Sequence, residues 1–294
     1  MKRTKSRSRR EIEADQELLS FDRDGNFRIS GNRWVKAYRL SANVDHPDLS
    51  GIQSQMRFTV ELPEKETYLT LTAEASDYSE AKEQVTKEED ALRRSFLLQP
   101  LSADEIISRY GRDFSYAAMI RGKKDWRENC LPEIREELDS FTTGEAEYGE
   151  AVLALQYPDQ LMEPKILETL GDLGCPAYIS LETANLPETD QEDFRRVLEE
   201  RYNRRAAGNG ESLVNLSLQL AFLGDSSEAR TIIGQTLLRT AVQEGFVLAP
   251  AYGNQRQVLR SIRSLGWIDQ PAMRNVSEKL RTKILETGAS YVSH

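Results

Sequence analysis

Histidine and cysteine are scarce in this 294-residue chain, which has two of each: His46, His294, Cys130 and Cys175. With so little imidazole, a His-based acid–base centre is poorly supplied. Two cysteines and no CxxC argue against a zinc ribbon or a disulfide framework, and a reducing compartment is the simplest fit. Long apolar runs are also missing, since none approaches the ~20 residues needed to cross a bilayer. The basic N-terminus is not followed by an apolar stretch, so it does not read as a secretory signal. No HExxH, GxSxG or GxxxxGK[ST] occurs, and the acids show no metal-ligand spacing. Cys130 follows Lys123, Lys124 and Arg127, which would lower a thiol pKa, yet no base is assigned to it. Cys175, between Gly174 and Pro176, reads as a small buried turn residue, and His46 as a loop residue before a proline. The acids of EEDALRR and REELD read as solvated helix faces. The expectation is therefore a chain that is not an enzyme and carries no cofactor and no metal.

Charge is present in quantity, 48 acidic against 39 basic residues for a net −9, and it is unevenly placed. KRTKSRSRR puts Lys2, Arg3, Lys5, Arg7, Arg9 and Arg10 together with no acid. Acid-rich EIEADQELLSFDRD follows. Such a block reads as a solvated tail, and its six cations are the candidate contacts for an anionic lipid surface or for nucleic acid. The tail has no aromatic residue on which a base could stack, which disfavours sequence reading.

FDRDGNFRISGNRWVKAYRLSA reads as a hairpin, with Asp24-Gly25 and Gly31-Asn32 as turns. QMRFTVEL (55–62) and TYLTLTAEA (67–75) read as further strands. In the helix that follows, Ala81, Val85, Leu92 and Phe96 share a face, and Glu83–Lys87, Glu89–Arg93 and Asp90–Arg94 are favourable i,i+4 pairs. Ser102 to Glu105 is a capping box. Residues 121–148 are highly charged and read as a connector, in part helical. Beyond them come strand AVLALQYP, a late-starting helix ending in ETLGDLG, strand AYISLETANL and helix LPETDQEDFRRVLEERYNRR. The next strand, SLVNLSLQLAF, turns Val214, Leu216, Leu218, Leu220 and Phe222 inward and Asn215, Ser217 and Gln219 to a wet or polar side. A capping box from Asp225 to Glu228 then opens a helix with Ala229, Ile232, Ile233, Leu237 and Ala241, before strand FVLAPAY and a final helix, NQRQVLRSIRSLG.

AAGNGESLVNLSLQL (206–220) looks at first like a phosphate loop. Such a loop needs a strand before its glycines and a helix N-terminus after them, because the helix amides hold the anion. Here a helix ends and a strand begins, so Gly208 and Gly210 read as a helix cap and a turn.

Strand–helix–strand thus occurs twice, starting near 151 and near 213 and bridged by a helix. This predicts an α+β protein of two lobes: an antiparallel β-rich N-terminal lobe and a ferredoxin-like split β-α-β C-terminal lobe. The boundaries expected are 1–17 for the tail, 18–120 for the first lobe, 121–148 for the connector, 149–270 for the second lobe and 271–294 for a C-terminal segment. Trp34, Tyr38, Trp126 and Trp267 are the candidate partner-contact aromatics, each more often core than hot spot.

EYGEAVLALQYPDQLMEP, ILETLGDLGCPAYISLETANLPETD and the stretch from SLVNLSLQLAF to NQRQVLRSI resemble the N-terminal domain of the conjugative type IV secretion ATPases. FDRDGNFRISGNRWVKAYRLSANVD resembles the opening of that family. The likeness covers about residues 18–292 and rests on diffuse apolar and turn patterns. In the family a RecA-like ATPase domain with Walker motifs follows, and RTKILETGASYVSH resembles the approach to it. No residue here matches those motifs. The resemblance implies a docking or scaffold component of a conjugative secretion machine, working with a separate or removed ATPase domain. Either the ATPase is a separate polypeptide or the chain is a piece of a longer one; Met1 and its basic tail read as a native start. The partners implied are that ATPase domain and the inner-membrane complex, and the place implied is cytoplasmic, peripheral at the inner face of the bacterial membrane. The alternative is a nucleic-acid-binding accessory protein of DNA transfer, acting through the basic tail.

Overall fold

Alternating apolar residues in SLVNLSLQLAFLG form the longest strand among the described residues, and the rest of the fold is arranged around it. The computed structural model describes residues 18–21 (backbone), 24–29, 31–40, 47–108, 134–144, 147–158, 165–202, 212–263 and 272–292. Its first half runs β1 (Leu18–Phe21), β2 (Phe27–Ile29), β3 (Arg33–Leu40), β4 (Gln55–Leu62), β5 (Glu66–Glu74), α1 (Tyr78–Leu92), β6 (Leu98–Pro100) and α2 (Ala103–Ser108). Then come β7 (Ile134–Glu136), β8 (Phe141–Thr143), β9 (Tyr148–Gln156), α3 (Ile166–Asp172), β10 (Ala177–Asn185), α4 (Glu188–Tyr202) and β11 (Leu213–Gly224). The chain continues with α5 (Ser227–Gln243), β12 (Val247–Pro250), α6 (Gln255–Arg263), β13 (Arg274–Ser277) and α7 (Glu278–Val292). The fold class is α+β.

The strands among the described residues form one 13-stranded sheet, ordered β1-β2-β3-β5-β4-β10-β11-β9-β8-β7. Three short strands lie off that path: β6 on β3, β12 on β9 and β13 on β11. Every pairing is antiparallel. At the middle, β4 pairs β10 from Met56↔Thr183 to Leu62↔Ala177, so the sheet is continuous between the two halves of the chain.

One face carries the main core. Tyr38, Met56, Leu71, Leu181, Leu220 and Phe222 all belong to it. Helix α1 seats Ala81, Val85 and Leu92 there, as its periodicity predicts, and its N-terminus is capped by Asp77, which accepts from Ser79 N and Glu80 N. The Ser102–Glu105 capping box forms, with Ser102 N donating to Glu105 Oε2 and Glu105 N donating to Ser102 Oγ. At α5 the cap is Ser226, not Asp225: its hydroxyl accepts from Ala229 N at 3.0 Å. Ile233, Leu237 and Ala241 face the core, but Ile232 is 61% exposed, because the stripe advances one position.

Two more elements follow the helix expected to be last. Strand β13 pairs with β11, and α7 buries Leu280, Ile284 and Leu285 in the main core. Burying three such side chains contributes on the order of 5 kcal/mol, comparable to a domain's whole net stability. Helix α7 is thus part of the fold. The described part of the expected connector is likewise not helical: β7 and β8 make a hairpin that extends the sheet beyond β9.

The opposite face also has a core. Helix α6 lays Val258, Leu259 and Ile262 against Ala151, Ala221 and Phe141. The polar side of β11, expected to be wet, is therefore buried there, with Ser217 and Gln219 inaccessible to solvent.

Candidate functional site: a buried polar band across the sheet

Where one long strand has two short partners on the same edge, the backbone between them needs another partner. On β11, β9 ends at Gln219 and β13 begins at Leu216. In that gap Leu218 N donates to the Tyr157 hydroxyl at 2.6 Å. On β9, β8 stops at Gly149 and β12 begins at Val152. There the Gln255 side chain acts as a strand would: Ala151 N donates to its Oε1 at 2.6 Å, and its Nε2 donates to Ala151 O at 3.0 Å. Gln255 is the first residue of α6, so the same contact fixes the helix to the sheet.

Further along α6, the strand registers assemble a polar band. Thr59 lies opposite Ser180 and Ser180 opposite Gln219; one step along, Arg57 lies opposite Glu182 and Glu182 opposite Ser217. All six are buried. Arg57 Nη2 stands 3.2 Å from Glu182 Oε1, and both side chains are at most 5% exposed. Gln55 Nε2 donates to the same carboxylate oxygen at 2.5 Å. Arg57 Nη1 donates to Ser261 O at 2.5 Å. Ser261 lies in the last turn of α6, where carbonyls lack helical partners and the helix dipole is negative, so the guanidinium caps it. The arrangement locks α6, β4 and β10 together at buried positions. Sequence reading missed this pair, although Arg57 and Glu182 do stand out as charges inside QMRFTVEL and AYISLETANL.

Glu88, Glu89 and Glu150 are the other buried carboxylates among the described residues. Glu89 accepts from Lys36 (2.5 Å), Tyr38 (2.9 Å) and Arg93 (2.6 Å). Burial works to raise its pKa, but the bonds from Lys36, Arg93 and Tyr38 together hold it below the ordinary value. Burial, then the Glu89 charge, pushes the Tyr38 hydroxyl far up. Of the three i,i+4 pairs expected on α1, Glu89–Arg93 is an ion pair. Glu150 of β9 lies under α5, 3.4 Å from Arg230. Burial pushes its carboxyl up to about 7, against the pull of Arg230 and with a further push from Asp139.

Of the candidate contact aromatics, Trp34 and Tyr38 are buried in the main core, the position weighed as the commoner one for such residues; the Trp34 ring lies 5.6 Å from the Arg28 guanidinium and 5.5 Å from the Lys82 ammonium. Lys2, Arg3, Lys5, Arg7, Arg9, Arg10, Trp126 and Trp267 lie outside the described residues, as do Cys130, His46, His294, Gly208 and Gly210. Cys175 is buried, and burial raises its thiol pKa. Among the described residues, no group of three or more His, Cys, Asp or Glu could hold a metal ion. No helix among them is long and apolar enough to cross a membrane.

No family model matches the chain, and no curated protein matches it. Among solved structures it is similar to a xylooligosaccharide oxidase from Myceliophthora thermophila C1 in complex with xylobiose, at 11% identity and a TM-score of 0.33. That match covers 91% of this chain, which spans 56% of the oxidase. The expectation that the chain is not an enzyme is corrected here. A protein it is matched to is an oxidase, and missing sequence motifs do not exclude catalysis. At that TM-score the likeness assigns no activity to this chain.

Proposed function

We propose that this chain is a docking module of a conjugative type IV secretion system, related to the N-terminal domain of the ATPase of that machine. In this reading it seats a RecA-like ATPase domain against the inner-membrane complex. The observation that carries it is strand order in the second half of the chain. β9, β10, β11 and β12 follow one another along the chain and lie in the sheet as β12-β9-β11-β10. This order supports the reading of a split β-α-β, ferredoxin-like unit, the arrangement expected from the segments that resemble the secretion ATPases. In the finer reading there are two lobes, β1–β6 with α1 and α2 as one and β7–β13 with α3–α7 as the other, fused along the β4–β10 seam. The basic stretch 2–10 would hold the module peripherally at the inner face of the bacterial cytoplasmic membrane, through anionic headgroups.

The test is affinity capture of the tagged full chain from cells expressing a conjugation operon, with the captured proteins identified by mass spectrometry. Recovery of the secretion ATPase and inner-membrane components is expected. Recovery of neither overturns the proposal. Deleting residues 1–10 and comparing sedimentation with anionic vesicles and binding to DNA, at low and moderate salt, separates a lipid-facing tail from a nucleic-acid-binding one.

A further inference from the structure

Ser180 and Gln219 occupy directly opposite positions on β10 and β11, and neither side chain has accessible surface. Ser180 Oγ and Gln219 Oε1 have no hydrogen-bond partner among the described residues. Unmet buried polar atoms are rare in folded proteins. Rearranging the amide does not remove the problem. Gln219 Nε2 donates to Ser217 Oγ at 3.1 Å, so turning the amide over would replace an unmet oxygen with an unmet NH2 group. Opposed residues on antiparallel strands have Cβ atoms about 5 Å apart, and serine is too short to reach far beyond its own strand. The surroundings are polar, with Thr59 opposite Ser180 and the Arg57–Glu182 pair one step along the same strands. A polar, enclosed setting with at least two convergent partners is what an internal water requires.

We infer that a fixed internal water bridges Ser180 Oγ and Gln219 Oε1 on the face of the sheet that carries α6. It accepts a hydrogen bond from the serine hydroxyl and donates one to the amide oxygen. The polar band would then be a hydrated layer built into the sheet, complete only when its water is counted.

The test is a crystal structure of the full chain at a resolution that places waters. The expected result is a well-ordered peak within about 2.7–3.2 Å of both atoms, absent from the Ser180→Ala/Gln219→Leu double variant. Water-to-amide cross-relaxation at the Ser180 and Gln219 N–H groups in NMR gives the same answer without the variant, should that fail to fold. A direct bond between Ser180 Oγ and Gln219 Oε1, or rotation of both side chains onto Arg57 and Glu182 with no water between them, overturns the inference.

Discussion

Replacing Glu150 by Gln should flatten part of the pH dependence of stability. Glu150 is 7% exposed, and its carboxyl lies so close beneath α5 that a Cβ on Gly234 would come within 3.1 Å of Oε2. Arg230 stands only at 3.4 Å, so the ion pair does not offset the cost of burial, and the carboxyl is pushed up to about 7 from the ordinary 4.5. At about 1.36 kcal/mol for each tenfold change in proton affinity, that difference corresponds to ~3 kcal/mol. A raised carboxylate pKa means that the folded state binds the proton more tightly than the unfolded chain does. The penalty is therefore absent below about pH 4.5, grows as pH rises toward 7, and is complete above that. Urea unfolding of the wild type and Glu150→Gln, followed by circular dichroism between pH 5 and 8, should give stability curves that diverge as pH rises. The variant should gain up to ~3 kcal/mol at the alkaline end relative to its standing at the acid end. Carboxylates held below their usual range, such as Glu89 and Glu105, act oppositely at lower pH but cancel in the difference. Parallel curves would refute the reasoning, because they would mean that Glu150 titrates alike in both states.

Tyr157→Phe should cost ~1–3 kcal/mol in chemical denaturation, since it strands Leu218 N–H in the gap between β9 and β13. Gln255→Ala should cost ~2–4 kcal/mol by the same measurement, and amide hydrogen exchange at Ala151 and along α6 should accelerate together, because one side chain serves both. Arg57→Met alone should cost ~3–5 kcal/mol by leaving the Glu182 carboxylate buried, whereas Arg57→Met combined with Glu182→Leu should recover much of that loss; additive costs would count against a coupled pair. Gly149→Ala should destabilise by ~1–3 kcal/mol in thermal unfolding, because its new methyl would overlap the Phe141 ring.

The sequence was most legible where a single physical signal decided the outcome. β4 spans Gln55–Leu62 as its composition predicts, and the Ser102–Glu105 cap forms between the residues its spacing names. The late start of α3 at Ile166 is consistent with Pro164, a residue that helix interiors reject. Signals that needed tertiary context were misread. Arg274–Ser277 is a four-residue strand whose only reason to exist is the free edge of β11. The β7–β8 hairpin is similarly short, polar and dependent on β9. Tyr157 and Gln255 look ordinary in sequence, and their importance comes from where two neighbouring strands happen to stop.

The instructive misreading is the polar side of β11. Alternation reports which residues are apolar; it does not report what covers the others. Asn215, Ser217 and Gln219 read as facing a wet or polar side, yet Ser217 and Gln219 are buried on the face that carries α6, together with Thr59 and Ser180. Covering such a face is tolerable only if its polar groups are met inside. That condition selects how α6 attaches: small alanines at Ala151 and Ala221 receive its apolar stripe, Gln255 replaces a missing strand at one end, and Arg57 meets a helix carbonyl at the other. The charge on Arg57 then requires Glu182, which ties the helix to the β4–β10 seam where the two halves of the chain join. An apolar face at those positions would have held a helix in several registers. The polar one admits the register in which these bonds are made, and so fixes the position of α6 on the sheet.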